Sequence, residues 1–483
     1  MTVISGMSAA QIQALTTTQI RDLTDKDIKA MTAAQVNALT SSQIAAIETR
    51  DVVYFSAAQM KAFDANEFAG GMLTYDTNVL QANQLKGLTS EQLSKLGTQA
   101  IATLTSDQVK LLDAKQLGGL GTGQIQALGD DIGVLSAAQM KGLSTDSIKA
   151  LTTDQAGTLS AAQIKGLSTA QIAAIETQDL ARLGTAQLAA LSAAQVKALS
   201  ADQVKSLSTD QVKGLQGVQI AALSTDQIQA LGTAQVASLE TSQVKSLTAA
   251  QLGAMSTAQI AAIETEDLGQ LTAAQIKGLT TDGVKALTTG QVGAMKYAQI
   301  AALSTGQVTQ LSTGGIAALG TDQVKALTAA QLGAMSTAQI AAIETQDLVQ
   351  LTAAQLKSLS SDSIKALTTE QAAALTTGQV AALSAGQLQA METEDLVKVS
   401  TAGIQALTAA QVKALTTDQV KSLTTGQVTS LGSTQIASLT THQVKSLTTH
   451  QVKSLSTDQT NALTPAQIGA MTTDQIRQLA IPQ

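Results

Sequence analysis

The feature that most constrains this chain is a spacing: a Ser or Thr followed three residues later by Gln, rewritten every eight residues almost from end to end. Leu199-Ser-Ala-Asp-Gln-Val-Lys-Ser206, followed at once by Leu207, is a representative copy. Counted from its Leu, position 2 is Ser or Thr, position 5 is Gln, position 6 is Val, Ile or Leu, and position 8 is usually Ala, Ser or Gly. Ser/Thr and Gln at this separation form a capping box, in which the hydroxyl accepts the third backbone N–H of a helix and the Gln side chain reaches back to the cap. Positions 1 and 6 then fall where a hydrophobic staple joins the residue before the cap to the fourth helical residue. Each octapeptide therefore reads as the start of a helix, and the next cap ends it, because Ser and Thr side chains compete for backbone groups.

Such helices cannot stand alone. Isolated helices shorter than about 12–15 residues are marginal in water. Burying one Leu and one Val contributes at best ~3–6 kcal/mol, whereas ordering eight backbones costs on the order of 8–16 kcal/mol. Neighbouring repeats must stack, so the expected fold is all-α: a solenoid of very short capped helices, one per octapeptide, with positions 1 and 6 inside and small residues at position 8 allowing close approach. A single continuous helix would rotate its apolar pair by about 80° per repeat and present no fixed face. A β-solenoid is the alternative kept open by the abundant Thr and Val, although positions 1 and 6 would point to opposite faces of a strand.

The register of the repeat divides the chain. Position 1 steps by eight from Met7 to Phe63, jumps nine residues to Met72, steps by eight to Leu128, then takes a seven-residue step to Leu135 and holds to Leu479. We expect a regular array at 1–63, an irregular segment with two register shifts at 64–134 and a second regular array at 135–483. Five of the six aromatic residues, Tyr54, Phe55, Phe63, Phe68 and Tyr75, gather around the first fault, where Gly70-Gly71 marks the inserted residue. They read either as large side chains filling a disturbed stack or as a docking surface. The second fault carries Gly129-Asp130-Asp131-Ile132-Gly133, read as a cap at a shortened turn.

A sparser pattern runs through the array. Glu replaces the capping residue at Glu48, Glu176, Glu264, Glu344 and Glu392, each followed by Thr-x-Asp with Asp in the Gln position, at separations that are multiples of eight. Acidic groups suit the positive end of a helix; clustered on one side they would instead recruit divalent cations. The remaining inventory is thin. His442 and His450, the only histidines, stand one repeat apart without further ligands of suitable spacing, so no metal site is expected. No Ser has a His base in a nucleophile motif and no phosphate-binding glycine loop occurs; we expect no enzyme activity and no cofactor. A net charge of −7 with no basic patch argues against nucleic acid as a partner. No apolar run approaches membrane-spanning length, and no signal of the Sec type opens the chain.

Two likenesses bear on function. Leu463-Thr-Pro-Ala-Gln-Ile-Gly-Ala-Met471 resembles the opening of a TAL-effector repeat over nine residues, without that family's 34-residue period, base-reading loop or basic character, so DNA recognition does not carry over. Leu415-Thr-Thr-Asp-Gln-Val-Lys-Ser-Leu423, and nearly all the chain with it, resembles the long octapeptide arrays of bacterial secreted and surface proteins grouped with RTX-type adhesins or haem-utilisation proteins. That resemblance implies a non-enzymatic structural role at the cell surface or outside the cell (filament, layer subunit or adhesin stalk), reached by type I or another non-classical export route. The expected partners are further copies of the chain or other surface proteins. The Gly-Gly-x-Gly-x-Asp calcium nonapeptides of that group are absent. The alternative function is a binding module whose repetitive face recognises a glycan, an ice or mineral surface, or a partner protein.

Overall fold

Ser200 shows why the helices begin where they do. Its backbone is extended (φ −73°, ψ 162°), and so is that of Leu199 before it, so two non-helical residues separate each helix from the last. The Ser200 hydroxyl accepts the Gln203 N–H at 3.1 Å, and the Ser200 N–H donates to Gln203 Oε1 at 2.7 Å, closing the capping box. The computed structural model describes residues 4–72 and 77–479. Among them lie 57 α-helices of four to eight residues and no strand, close to one helix per octapeptide. The all-α solenoid is the observed class, and neither the β-solenoid nor the continuous helix is adopted.

Two compact units divide the chain, Met1–Ser246 and Leu247–Gln483, and both are built in the same way. Each helix packs on the third one after it. In the first unit Ala137–Gly142 lies on Ala161–Gly166 and Ala193–Ala198 on Gly217–Ala222; in the second, Ala273–Lys277 lies on Tyr297–Ala302 and Tyr297–Ala302 on Thr321–Ala326. The residues at positions 1 and 6, such as Leu199 and Val204, are buried and form a thin aliphatic core. Lys at position 7 is solvent-facing, as at Lys197, Lys205 and Lys213. Position 8 is where turns meet most closely: a Cβ placed on Gly166 would come within 2.6 Å of Ala137 Cβ, closer than two side chains can approach.

One component of the stack was not foreseen from the repeat. The Gln at position 5 is buried along with the aliphatic pair, and its amide has a second task. Gln43 Nε2 donates to the carbonyls of Ile12 and Leu15, both at 2.9 Å. Gln211 Nε2 reaches Leu180 (3.0 Å) and Leu183 (2.8 Å), and in the second unit Gln331 reaches Ile300 (2.9 Å) and Leu303 (2.7 Å). The acceptors lie 31 and 28 residues back, so one turn of either solenoid takes between three and four repeats. The position-1 carbonyl has no partner inside its own helix, and the glutamine from the following turn supplies one. Each buried amide is thus satisfied at both ends, which its burial requires.

The two register faults have distinct geometries. Ala65–Met72 is the longest helix among the described residues, and its Gly71 lies against Ile44, where a Cβ would fall 2.4 Å from the Ile44 side chain. The Ser41 N–H at the start of the neighbouring helix donates to the Glu67 carboxylate, a cap supplied from the next turn. At the second fault Gly129 adopts φ +51°, a left-handed conformation that favours glycine, and leads into a tight 3-10 turn over Gly129–Val134. Asp131 does not cap its own helix there; it accepts a bond from the Ser106 hydroxyl of the preceding turn.

Candidate functional site at the aspartate repeats

Of the two readings of the aromatic residues, filling of a disturbed stack is the one that the three phenylalanines adopt, and their burial removes them from a docking surface. Phe55, Phe63 and Phe68 are 3%, 6% and 1% exposed. Their rings pack on one another with centroids 5.3 and 5.4 Å apart. They fill the space opened by the longer helix, leaving an apolar cavity of about 10 Å³ beside Ile44 and Val52. Tyr54 is half-buried beneath the Lys29 ammonium, which sits 4.6 Å from its ring centroid. Tyr75 lies outside the described residues. His442 and His450 are exposed on consecutive helices, Thr441–Ser446 and Thr449–Lys453, whereas packing joins every third helix.

The Glu-Thr-x-Asp repeats are where the solenoid departs from its own rule. Their helices are cut to four residues: Thr49–Val52, Thr177–Leu180, Thr265–Leu268, Thr345–Leu348 and Thr393–Leu396. The capping Glu makes no side-chain bond to the backbone N–H groups it caps in any of the five; Glu176 and Glu344 instead accept the side-chain amides of Gln178 and Gln346 at 3.0 and 2.8 Å. Asp alone is not the cause. Asp27, preceded by Thr24 instead of Glu, closes an ordinary capping box, with the Thr24 N–H donating to Asp27 Oδ2 at 3.0 Å. With Glu at the cap, three of the five Asp carboxylates turn from their own helix toward the preceding turn. Asp347 accepts the Thr321 hydroxyl there, and the Thr153 and Thr369 hydroxyls stand in the same relation to Asp179 and Asp395.

An ionised carboxylate has no donor to offer, and it is one methylene shorter than glutamine. Asp179 is 1% exposed, and neither of its oxygens makes a hydrogen bond of ordinary geometry. Burial pushes its pKa above the usual 3.8, the Thr153 hydroxyl opposes this, and the Glu176 charge adds to it. Asp395 is shifted the same way, first by burial, against the Thr369 hydroxyl and with the charges of Glu392, Glu394 and Glu370. Arg50 provides a different solution at the first such repeat, lying 2.6 Å from Glu48 and 3.8 Å from Asp51.

Outside three of these joints the surface opens into grooves. One of about 610 Å³ lies between Glu176 and Asp202, with Lys149 at its edge. A second of about 610 Å³ is bordered by Glu344 and Glu370, and a third of about 500 Å³ by Glu392, Glu394, Asp418 and Lys365. In each, carboxylates from two successive turns face one open space. No group of three or more His, Cys, Asp or Glu side chains suited to a metal ion occurs among the described residues. No helix there is long and apolar enough to cross a membrane.

Comparison with known proteins gives one family. The ALTTAQ repeat matches residues 129–161, 172–209, 207–241, 260–297, 300–337, 340–377, 388–425, 441–473 and 449–480, together more than half of the chain. No curated protein matches. Among solved structures, APUM23-GGAUUUGACGG is 11% identical, with 87% of this chain and 86% of that chain covered at a TM-score of 0.15. APUM23-GGAAUUGACGG is 10% identical, with 99% and 96% covered at a TM-score of 0.14. The expectation that nucleic acid is no partner is withdrawn: the names of these solved structures carry a base sequence, and a net charge of −7 without a basic patch does not by itself exclude that ligand class. At TM-scores this low the likeness carries no argument for a partner of this chain.

Proposed function

The chain belongs to the ALTTAQ repeat family, and from this premise we propose that it is a non-enzymatic structural repeat protein, a stalk or spacer of the bacterial surface or extracellular space. The observation that carries the reading is how the buried polar side chains are used. From Gln35 to Gln475 the position-5 glutamines repeatedly spend both ends of their amides on the scaffold, one on a cap and one on the preceding turn. A fold that can lengthen by identical turns suits a part whose task is reach, since a repeat array grows without the core-size limit of a globular domain. Residues 415–423 add the resemblance to secreted and surface octapeptide arrays. The test is antibody labelling of intact cells with and without external protease. Labelling that the protease removes supports the proposal, and label found only after lysis overturns it.

The grooves at Glu176, Glu344 and Glu392 favour a second reading, a binding module for a glycan, a mineral surface or a partner protein. A glycan array and a mineral-adsorption assay with the purified chain separate the two: retention lost on Glu176→Gln, Glu344→Gln and Glu392→Gln together supports binding, and retention unchanged by them removes the grooves from it.

A further inference from the structure

In the ordinary repeat a glutamine amide donates to two carbonyls of the preceding turn, 31 and 28 residues back. For Asp179 the corresponding carbonyls are those of Ile148 and Leu151, and for Asp395 those of Ile364 and Leu367, where Asp stands in the glutamine position. At each joint a buried carboxylate therefore occupies the position from which a glutamine donates elsewhere, and at Asp179 neither of its oxygens makes a hydrogen bond of ordinary geometry. The aliphatic core still stacks the turns, but an ionised carboxylate in that slot has no hydrogen to give to the preceding turn. We propose that Asp179 and Asp395 are proton-operated latches: with a proton from solvent on the carboxyl, its O–H supplies the donor that glutamine supplies elsewhere, and without it the joint to the preceding turn stays open.

The surroundings favour a proton over a metal ion. A calcium ion takes six to eight oxygen ligands, whereas Asp179 is almost fully buried with both oxygens unbonded and belongs to no cluster of potential ligands among the described residues. A proton needs no coordination shell. The charged neighbours are mostly anionic. Around Asp179 they are Glu176 in its own repeat, Asp154 (paired with Arg182 at 3.7 Å) on the helix Thr153–Thr158, and Asp202 and Lys205 on Ala201–Ser206. Around Asp395 they are Glu392 and Glu394 in its own repeat, Glu370 on Thr369–Ala374, and Asp418 and Lys421 on Thr417–Ser422. Burial first, then Glu176 at Asp179 and Glu392, Glu394 and Glu370 at Asp395, raise the two carboxyls above the usual 3.8 against the Thr153 and Thr369 hydroxyls, so the latch closes in surroundings where ordinary surface carboxylates are still ionised.

Hydrogen exchange of the full chain, corrected for intrinsic rates, tests this. Between pH 7 and about pH 4, amides of 153–180 are expected to slow by about tenfold relative to those of 201–222, the scale of one gained hydrogen bond. Asp179→Gln, which installs the residue of the other repeats, should give the slow rate at both pH values. Asp179→Asn, neutral and of native size, should lose the pH response without gaining the full protection. A response that persists in Asp179→Gln, or none in the wild type, overturns the proposal. Protection at pH 7 brought by millimolar calcium chloride alone, and abolished in Asp179→Gln, also overturns it, in favour of a cation.

Discussion

Thr177–Leu180 and Ala201–Ser206 begin twenty-four residues apart, one packed on the other, with the same backbone entry into the helix. They differ where Glu176 stands for Ser200 and Asp179 for Gln203. The second repeat holds the first: Gln203 Nε2 donates to the carbonyls of Ile172, Ala173 and Ile175, at 3.3, 3.3 and 2.6 Å. The first holds nothing in return, because Asp179 has no amide to extend toward Ile148 and Leu151. The comparison separates two contributions that coincide elsewhere. Aliphatic burial continues unbroken through both repeats, with Leu180 and Val204 each 1% exposed, so the core alone suffices to keep the turns stacked. The glutamine adds the join between turns, and where Glu and Asp replace the cap and the glutamine together, as at Glu176 and Asp179, the helix is four residues long and a groove lies beside it.

Breaking the shared part should have the largest effect. Val204→Asp places an unpaired charge in the core and is expected to cost roughly 3–5 kcal/mol, seen as lost exchange protection across the turns on either side. Gln203→Ala leaves the aliphatic core and removes the join together with half of the capping box. It strands the Ser200 N–H and the Ile175 carbonyl and should cost about 1–3 kcal/mol in urea unfolding. Asp179→Gln makes the weaker repeat like its neighbour and should gain about 1 kcal/mol at neutral pH by completing a hydrogen-bonded join. Lys205→Asp, on the solvent face, should stay within about 0.5 kcal/mol of wild type and mark the floor of the comparison.

The pH dependence sharpens the same contrast. A carboxyl whose folded-state pKa lies above its unfolded 3.8 binds its proton more tightly when folded. Its contribution is therefore fully present below 3.8 and is lost as the pH rises through the folded value, so Asp179 and Asp395 favour the fold more in acid than at neutrality. Thermal melting of the wild type and of the Asp179→Gln, Asp395→Gln double variant across this range should show curves that converge in acid and separate as the pH rises.

The local half of this architecture was legible in the residues. Ser or Thr three before Gln dictates a cap, and Leu and Val on either side dictate which face turns inward; both follow from contacts within one octapeptide. The glutamine's reach to the preceding turn was not legible, because it depends on how many repeats make a turn, a property of packing between segments about thirty residues apart. For the same reason Phe55, Phe63 and Phe68 were open to reading as a surface: only the helix Ala65–Met72, longer than its neighbours, shows that there is an interior space for them to fill. The Glu-Thr-x-Asp pattern was visible as a pattern, and its carboxylates fit the end of a helix as expected in charge. What the sequence hid was that the aspartate occupies a buried slot shaped for a donor.

The span of the glutamine bond has a kinetic consequence. A growing or refolding segment shorter than about three and a half octapeptides has no earlier turn on which to close its amides, so every such bond in the first coil is withheld until that coil is complete. Assembly should accordingly resemble a zipper with a slow first tooth, after which each new octapeptide engages a finished template. Fragments of increasing length would then stay unstructured up to a threshold and fold cooperatively beyond it, with little further change in rate as more octapeptides are added.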